Sequence, residues 1–327
     1  MDRFLQITCD LFSCMGHCML HAGGKYGYVG LCGWIYSFHM PLFMMLSGYV
    51  SVKIVNRAGN VMRRFEQLIV PSVFLFAICS VVNYSANWWF LKSLFVCYVV
   101  WTMLFYLPKS LRWSALVLLI VFVFPAFPQI PYVRSWKLDW MLPFFGIGML
   151  LHKYDEIFKR YLPYILICSA LLFVILWMRW KELFIYYNSM PAWIDYSEKI
   201  FFSNDGLKSV ACFVYRFLIG LSGSMVFISI IRSIMENKEW GRSIIEKLGS
   251  HSMHIYILQG FIIWVVCKEH IEVLLRFVPP IVITNQFFYE YVYCLLLAIL
   301  FFVCSYYISK LLEKSKYINR FVFGKID

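Results

Sequence analysis

Long apolar stretches separated by short charged segments run the length of this chain. No residue carries a charge between Glu66 and Lys92, between Arg112 and Arg134, or between Glu290 and Lys310. About 20 mostly apolar residues suffice for a helix to cross the hydrocarbon core of a bilayer. Taken gap by gap, the pattern predicts ten helical spans, at 4–21, 31–51, 67–84, 88–106, 113–130, 138–151, 161–178, 209–231, 253–267 and 291–309. The expected fold is therefore all-α, a polytopic transmembrane bundle in which residues 1–327 form one integral membrane domain. No small-residue cleavage site follows the first stretch, which is expected to stay as a span and not to be removed as a signal peptide.

Composition agrees. Of the 327 residues, 61% are hydrophobic and 15% charged, where a soluble domain carries about 25% charged residues. Lysine and arginine divide unevenly between the two sets of loops, nineteen on the side of both termini against nine on the other, with Lys92 and Arg216 inside spans. The positive-inside rule then places both termini in the cytoplasm. The net charge of +12 belongs to these loops and meets anionic lipid. No basic surface stands apart from the spans, so nucleic acid is excluded as a partner. The eleven cysteines show no CxxC pair and no Cys/His metal spacing. They read as small packing residues, and no metal is expected.

The external loops are too short to hold a catalytic domain, so any chemistry must sit among the spans. Ionisable residues at membrane depth are costly and mark functional positions. Asp10 and His17 lie two turns apart on one face of the first span. His39 is in the second span, Lys92 in the fourth, Arg216 in the eighth and Gln259 in the ninth. Counted from the outer helix ends at about 1.5 Å per residue, five of them share a layer about 6–12 Å deep, with Asp10 near about 17 Å. Arg216 cannot neutralise itself and needs a partner, for which Asp10 is the obvious candidate. Lys92 follows Trp88 and Trp89 and reads either as a site residue or as a snorkelling anchor. On the cytoplasmic side Arg57, Arg63 and Arg64 precede the third span. They read as anchors to anionic lipid or as a clamp for phosphates, which suits arginine geometry.

Several strings go further. Gly16-His17 closes the first span. Phe38-His39-Met40-Pro41-Leu42-Phe43 and Ser47-Gly48-Tyr49 fill the second. Arg64 stands seven residues before Pro71, Trp89-Phe90-Leu91-Lys92 opens the fourth span, and Leu142-Pro143-Phe144-Phe145-Gly146-Ile147-Gly148 lies in the sixth. Leu248-Gly249-Ser250 leads to Ser252-Met253-His254-Ile255-Tyr256-Ile257-Leu258-Gln259. Together and in this order they resemble the acyltransferase-3 family of integral membrane acyltransferases, nearest its fucose 4-O-acetylase-like branch.

That resemblance implies transfer of an acetyl group from cytoplasmic acetyl-CoA to a sugar hydroxyl of an envelope or surface glycan, in the inner membrane. His17 matches the family's first-helix histidine, His39 its Phe-His-Met-Pro histidine, and Arg64 its basic residue at the start of the third span. Gln6, Gln67 and Gln259 stand where the family usually carries a basic residue or histidine. On this reading Arg64, with Arg57 or Arg63, holds the donor diphosphate and His17 acts as general base or acyl carrier. Arg216 or Lys92 stabilises the oxyanion, while Trp89, Lys92 and Gln259 line the acceptor site. A transporter or flippase of lipid-linked glycan is the alternative, although no matching pair of broken helices marks inverted repeats.

Overall fold

The structure, a computed structural model, describes residues 2–23, 30–55, 59–81, 88–118, 137–178, 205–235, 242–276 and 278–324. Among these residues every regular element is a helix and no strand occurs. In chain order the helices are α1 (Asp2–His21), α2 (Gly30–Val55), α3 (Gly59–Val81), α4 (Trp89–Tyr106), α5 (Lys109–Leu118), α6 (Leu138–Lys153), α7 (Asp155–Arg160) and α8 (Leu162–Met178). They continue with α9 (Asp205–Met235), α10 (Arg242–Ser250), α11 (Ser252–Ile263), α12 (Ile271–Leu275), α13 (Pro280–Thr284), α14 (Cys294–Leu312) and α15 (Lys316–Phe323). A turn of π-helix, Trp264–Glu269, prolongs α11, and a second, Phe288–Tyr293, leads into α14.

Each of the ten predicted stretches falls on a helix, the third on α3 as far as Val81 and the fifth on α5 as far as Leu118, their remainders lying outside the described residues. Among the described residues five helical segments are long and apolar enough to cross a membrane: Gly30–Val52, Asn60–Val81, Trp89–Tyr106, Val214–Ile234 and Phe288–Leu312. Prolines interrupt α2 at Pro41, α3 at Pro71 and α6 at Pro143. Each lacks the N–H that a helix interior needs, a defect tolerated in spans where neighbouring groups re-satisfy the freed carbonyl.

The chain forms two compact units. One comprises residues 1–43 and 159–309, the other 44–158 and 310–327. In the first unit α1 runs parallel to α11, because Arg3 donates to the Gly249 carbonyl (2.8 Å) while further along Gln259 donates to Ser13 (3.0 Å). α14 runs the other way along α1, with Tyr289 donating to the Met19 carbonyl (2.9 Å) and Cys14 to that of Ala298 (3.4 Å). Next to Tyr289, the buried Glu290 accepts from the Leu31 N–H in the first turn of α2 (3.0 Å) and from Gln286 (2.9 Å). Two successive residues thus hold the end of α1 and the start of α2. An aromatic cluster of Phe12, Trp34, Phe38, Phe173 and Phe227 joins α1, α2, α8 and α9, with Phe38 stacked on Phe227 at 4.5 Å.

The second unit is built on close approach of backbones. A Cβ on Gly48 of α2 would run into the carbonyl of Phe145 in α6, and one on Gly148 of α6 would run into that of Met45 in α2. Small residues facing each other in this way let membrane helices pack without a hydrophobic driving force. Gly146, between the two residues of α6 that make the crossing, lies under the indole of Trp101 from α4. The carbonyls of Leu104 and Phe105 at the end of α4 accept from Arg112 (3.0 Å each), so that a cation covers the negative end of that helix. α15 lies along α3, with Phe321 against Phe74 and Gly324 seated on the backbone of Gln67.

Candidate functional site

The first unit brings the two histidines together, and the residue that makes this possible is Gly16. A Cβ there would stand 2.6 Å from the ring of Tyr36, so the phenol of α2 lies directly on the α1 backbone. Tyr36 in turn meets the edge of the His39 ring, with centroids 4.8 Å apart and planes at 73°. His17 follows Gly16 in sequence, so Tyr36 lies against the α1 backbone beside one histidine and against the ring of the other. His39 is buried at 2% exposure, while His17 is half-buried.

The Nδ1 of His39 lies 2.9 Å from the Ile35 carbonyl. A carbonyl only accepts, so Nδ1 carries the proton and, in the neutral ring, Nε2 holds the lone pair. A backbone bond of this kind fixes both tautomer and ring orientation. His17 meets His21 in a loose parallel stack at 6.4 Å. The pair His17 and His39 is therefore one half-open and one locked imidazole on adjoining helices.

Below His17 the same face of α1 stays polar. Gln6, Asp10, Ser13 and His17 are spaced by four, three and four residues, which aligns them along the helix. Ser13 accepts from Gln259, whose carbonyl oxygen has no hydrogen-bond partner. Asp10 is fully buried, with the Ser252 hydroxyl as the donor nearest its carboxyl, yet neither carboxyl oxygen completes a hydrogen bond. The expected pairing of Asp10 with Arg216 is therefore not made. Arg216 lies on α9 eight residues, or about 12 Å of helix rise, before Ser224, the residue that reaches the Phe38 carbonyl. Gln259 sits level with Ser13 and not with His17. The common layer inferred from depth alone thus separates into a histidine pair and a polar seam beside it.

The remaining candidates belong to the second unit. Arg64 donates to Gln67 at 2.8 Å and lies over the ring of Tyr98 at 4.9 Å. Tyr98 is buried and its hydroxyl is hydrogen-bonded to Ser51. Arg63, the residue before Arg64, is exposed. Lys92 and Trp89 are half-buried on α4, Lys92 six residues before Tyr98, or about 9 Å along the helix. Arg57 lies outside the described residues.

Sequence reasoning passed over Tyr36, Ser13, Ser252, Tyr98 and Glu290. Ser13 was within reach of the periodicity that linked Asp10 to His17. The others carry no signal until partner helices are known.

The long apolar helices mark a membrane protein. Residues 5–268 match the acyltransferase-3 family, described as an acyltransferase domain, and the chain belongs to that family. No curated protein and no solved structure matches the chain.

Proposed function

We propose that this protein is an O-acetyltransferase of the inner membrane that moves an acetyl group from cytoplasmic acetyl-CoA to a sugar hydroxyl of an envelope glycan. Membership of a membrane acyltransferase family supports the reaction class, and the juxtaposition of His17 and His39 through Gly16 and Tyr36 carries the mechanism. Acyl transfer needs a base for the attacking hydroxyl or a nucleophile that carries the acyl group. His17, the more accessible ring, takes the hydroxyl proton or carries the acetyl group. His39, with Nε2 as acceptor, takes up the proton that His17 releases. Arg64, with Arg63 and Arg57, holds the donor diphosphate. Arg216 or Lys92 faces the developing oxyanion, and Trp89 and Gln259 contact the acceptor.

The test uses the full chain in nanodiscs with radiolabelled acetyl-CoA and a glycan-lipid extract. Transfer of label by the wild type and its loss in His17→Ala is the expected result. His39→Asn is the more searching variant, because its amide still donates to the Ile35 carbonyl while nothing replaces Nε2. A chemical role for Nε2 predicts a rate loss of about 10²–10⁴-fold, and unchanged transfer would reduce His39 to a packing residue. Absence of donor binding in the wild type would turn the reading to glycan transport.

A further inference from the structure

Arginine carries five N–H donors in a rigid fork, and how that fork is held decides what it can grip. At Arg64 one donor, on Nη1, is bonded to the side-chain oxygen of Gln67 one turn further along α3, at 2.8 Å. One face of the guanidinium is covered by the ring of Tyr98, 4.9 Å from its centre. The ring cannot swing away. It is 4% exposed, its hydroxyl is hydrogen-bonded to Ser51, and its edge packs against Phe145 at 5.3 Å. Gln67 is held as well, since its backbone lies against Gly324 so closely that a Cβ there would stand 2.5 Å from the Gln67 carbonyl oxygen. Arg64 itself stays half-buried, so the fork sits on a fixed base without being enclosed.

Gln67 supplies an acceptor without charge. A glutamate there would hold the guanidinium as firmly and neutralise it, and a lysine or arginine would repel it. A neutral anchor on one edge and an aromatic plate under one face orient the cation while leaving its full charge for a ligand. The ligand suited to such a fork is a planar or tetrahedral oxyanion gripped through two parallel N–H bonds.

We propose that Gln67 and Tyr98 are positioning residues which fix the Arg64 guanidinium for bidentate capture of a phosphate group, and that the C-terminal helix α15 supports this arrangement through Gly324. The assignment of that phosphate to the acyl donor rests on the function proposed above. Residues 316–324 lie outside the stretch matched to the family, residues 5–268.

The experiment measures binding of coenzyme A to the full chain by calorimetry in phosphatidylcholine nanodiscs, and retention of cardiolipin by the same variants in mixed-lipid discs. In kinetics, Gln67→Ala and Tyr98→Leu raise the donor KM and leave kcat close to the wild type. A hydrogen bond to a charged group is worth about 1.5–3 kcal/mol, so Gln67→Ala weakens coenzyme A binding by roughly 10- to 100-fold. Loss of the cation–π contact in Tyr98→Leu weakens it by about 3- to 30-fold, whereas Tyr98→Phe keeps the aromatic face and stays within a few-fold of the wild type. Gln67→Glu retains the wild-type melting temperature but binds coenzyme A as poorly as Gln67→Ala, a result that a purely structural role does not produce. Wild-type affinity in both Gln67→Ala and Tyr98→Leu, with binding lost in Arg64→Ala, overturns the inference. If the wild type binds no coenzyme A while Arg64→Ala and Gln67→Ala lose cardiolipin together, the positioned fork stands and the donor reading falls.

Discussion

At position 16 one methyl group separates a packed helix pair from a strained one. Gly16→Val sets its side chain against Tyr36, and overpacking of this kind costs about 1–3 kcal/mol. The displaced phenol no longer backs His39, so acyl transfer falls together with the melting temperature. Tyr36→Ala in the same chain restores the space, and a double variant no more stable than Gly16→Val would show that the contact is not the cause. Glu290 is the second such residue. Glu290→Ala removes both of its hydrogen bonds, one of them to the positive end of a helix. A loss of about 2–3 kcal/mol is expected in thermal unfolding in detergent, with a smaller loss for Glu290→Gln. Single residues were the least legible part of the sequence. His17 and His39 stood out because imidazoles are rare at membrane depth. Glu290 looked like the charged edge of a span, since the partner it satisfies lies some 260 positions away in the chain.

Among the elements, helix positions followed directly from hydrophobic length, and 31–51 became Gly30–Val55. Which helix faces which did not follow, because a span that is apolar all round shows no preferred face to a reader of its sequence. Asp10 and Arg216 were expected to meet because an arginine at membrane depth needs an acidic partner, and the sequence does not say which faces of α1 and α9 are turned to each other. The glycines now identify one crossing. Gly48→Ala and Gly148→Ala each place a methyl group into a facing backbone, where no side chain can yield, and both are expected to lower the yield of folded protein sharply in fluorescence-detected size exclusion. Gly260→Ala is the control. Nothing lies within 4 Å of the added carbon, so the change is neutral or stabilising by up to about 1 kcal/mol. Gly324 is bound on two counts, a φ of +64° and its seat on Gln67. Its replacement by valine is expected to loosen α15 and raise protease sensitivity near residue 312.

For the molecule as a whole, the uneven division of lysine and arginine predicts that both termini face the cytoplasm. A fluorescent protein fused to the last residue is expected to fluoresce in cells, and alkaline phosphatase fused at the same point to stay inactive; the reverse pattern would refute a cytoplasmic C-terminus. Fold class and family were legible because both rest on long-range order in the sequence, the spacing of apolar runs and the sequence of short strings. The make-up of the compact units was not, because α2 contributes its first half to one and its second half to the other, and no local signal marks the change at Phe43.

Tyr289 and Glu290 act side by side, one on the last turn of α1 and the other on the first turn of α2. They belong to the same compact unit as both histidines, yet lie beyond residue 268. Exchanging residues 5–268 for those of a relative would part the clasp from the helices it evolved with, leaving it to find the same carbonyl and N–H on foreign helix ends. A hybrid joined after Ser309 inherits the clasp with the helices it serves, and that is where gene fusions between members of this family should be cut.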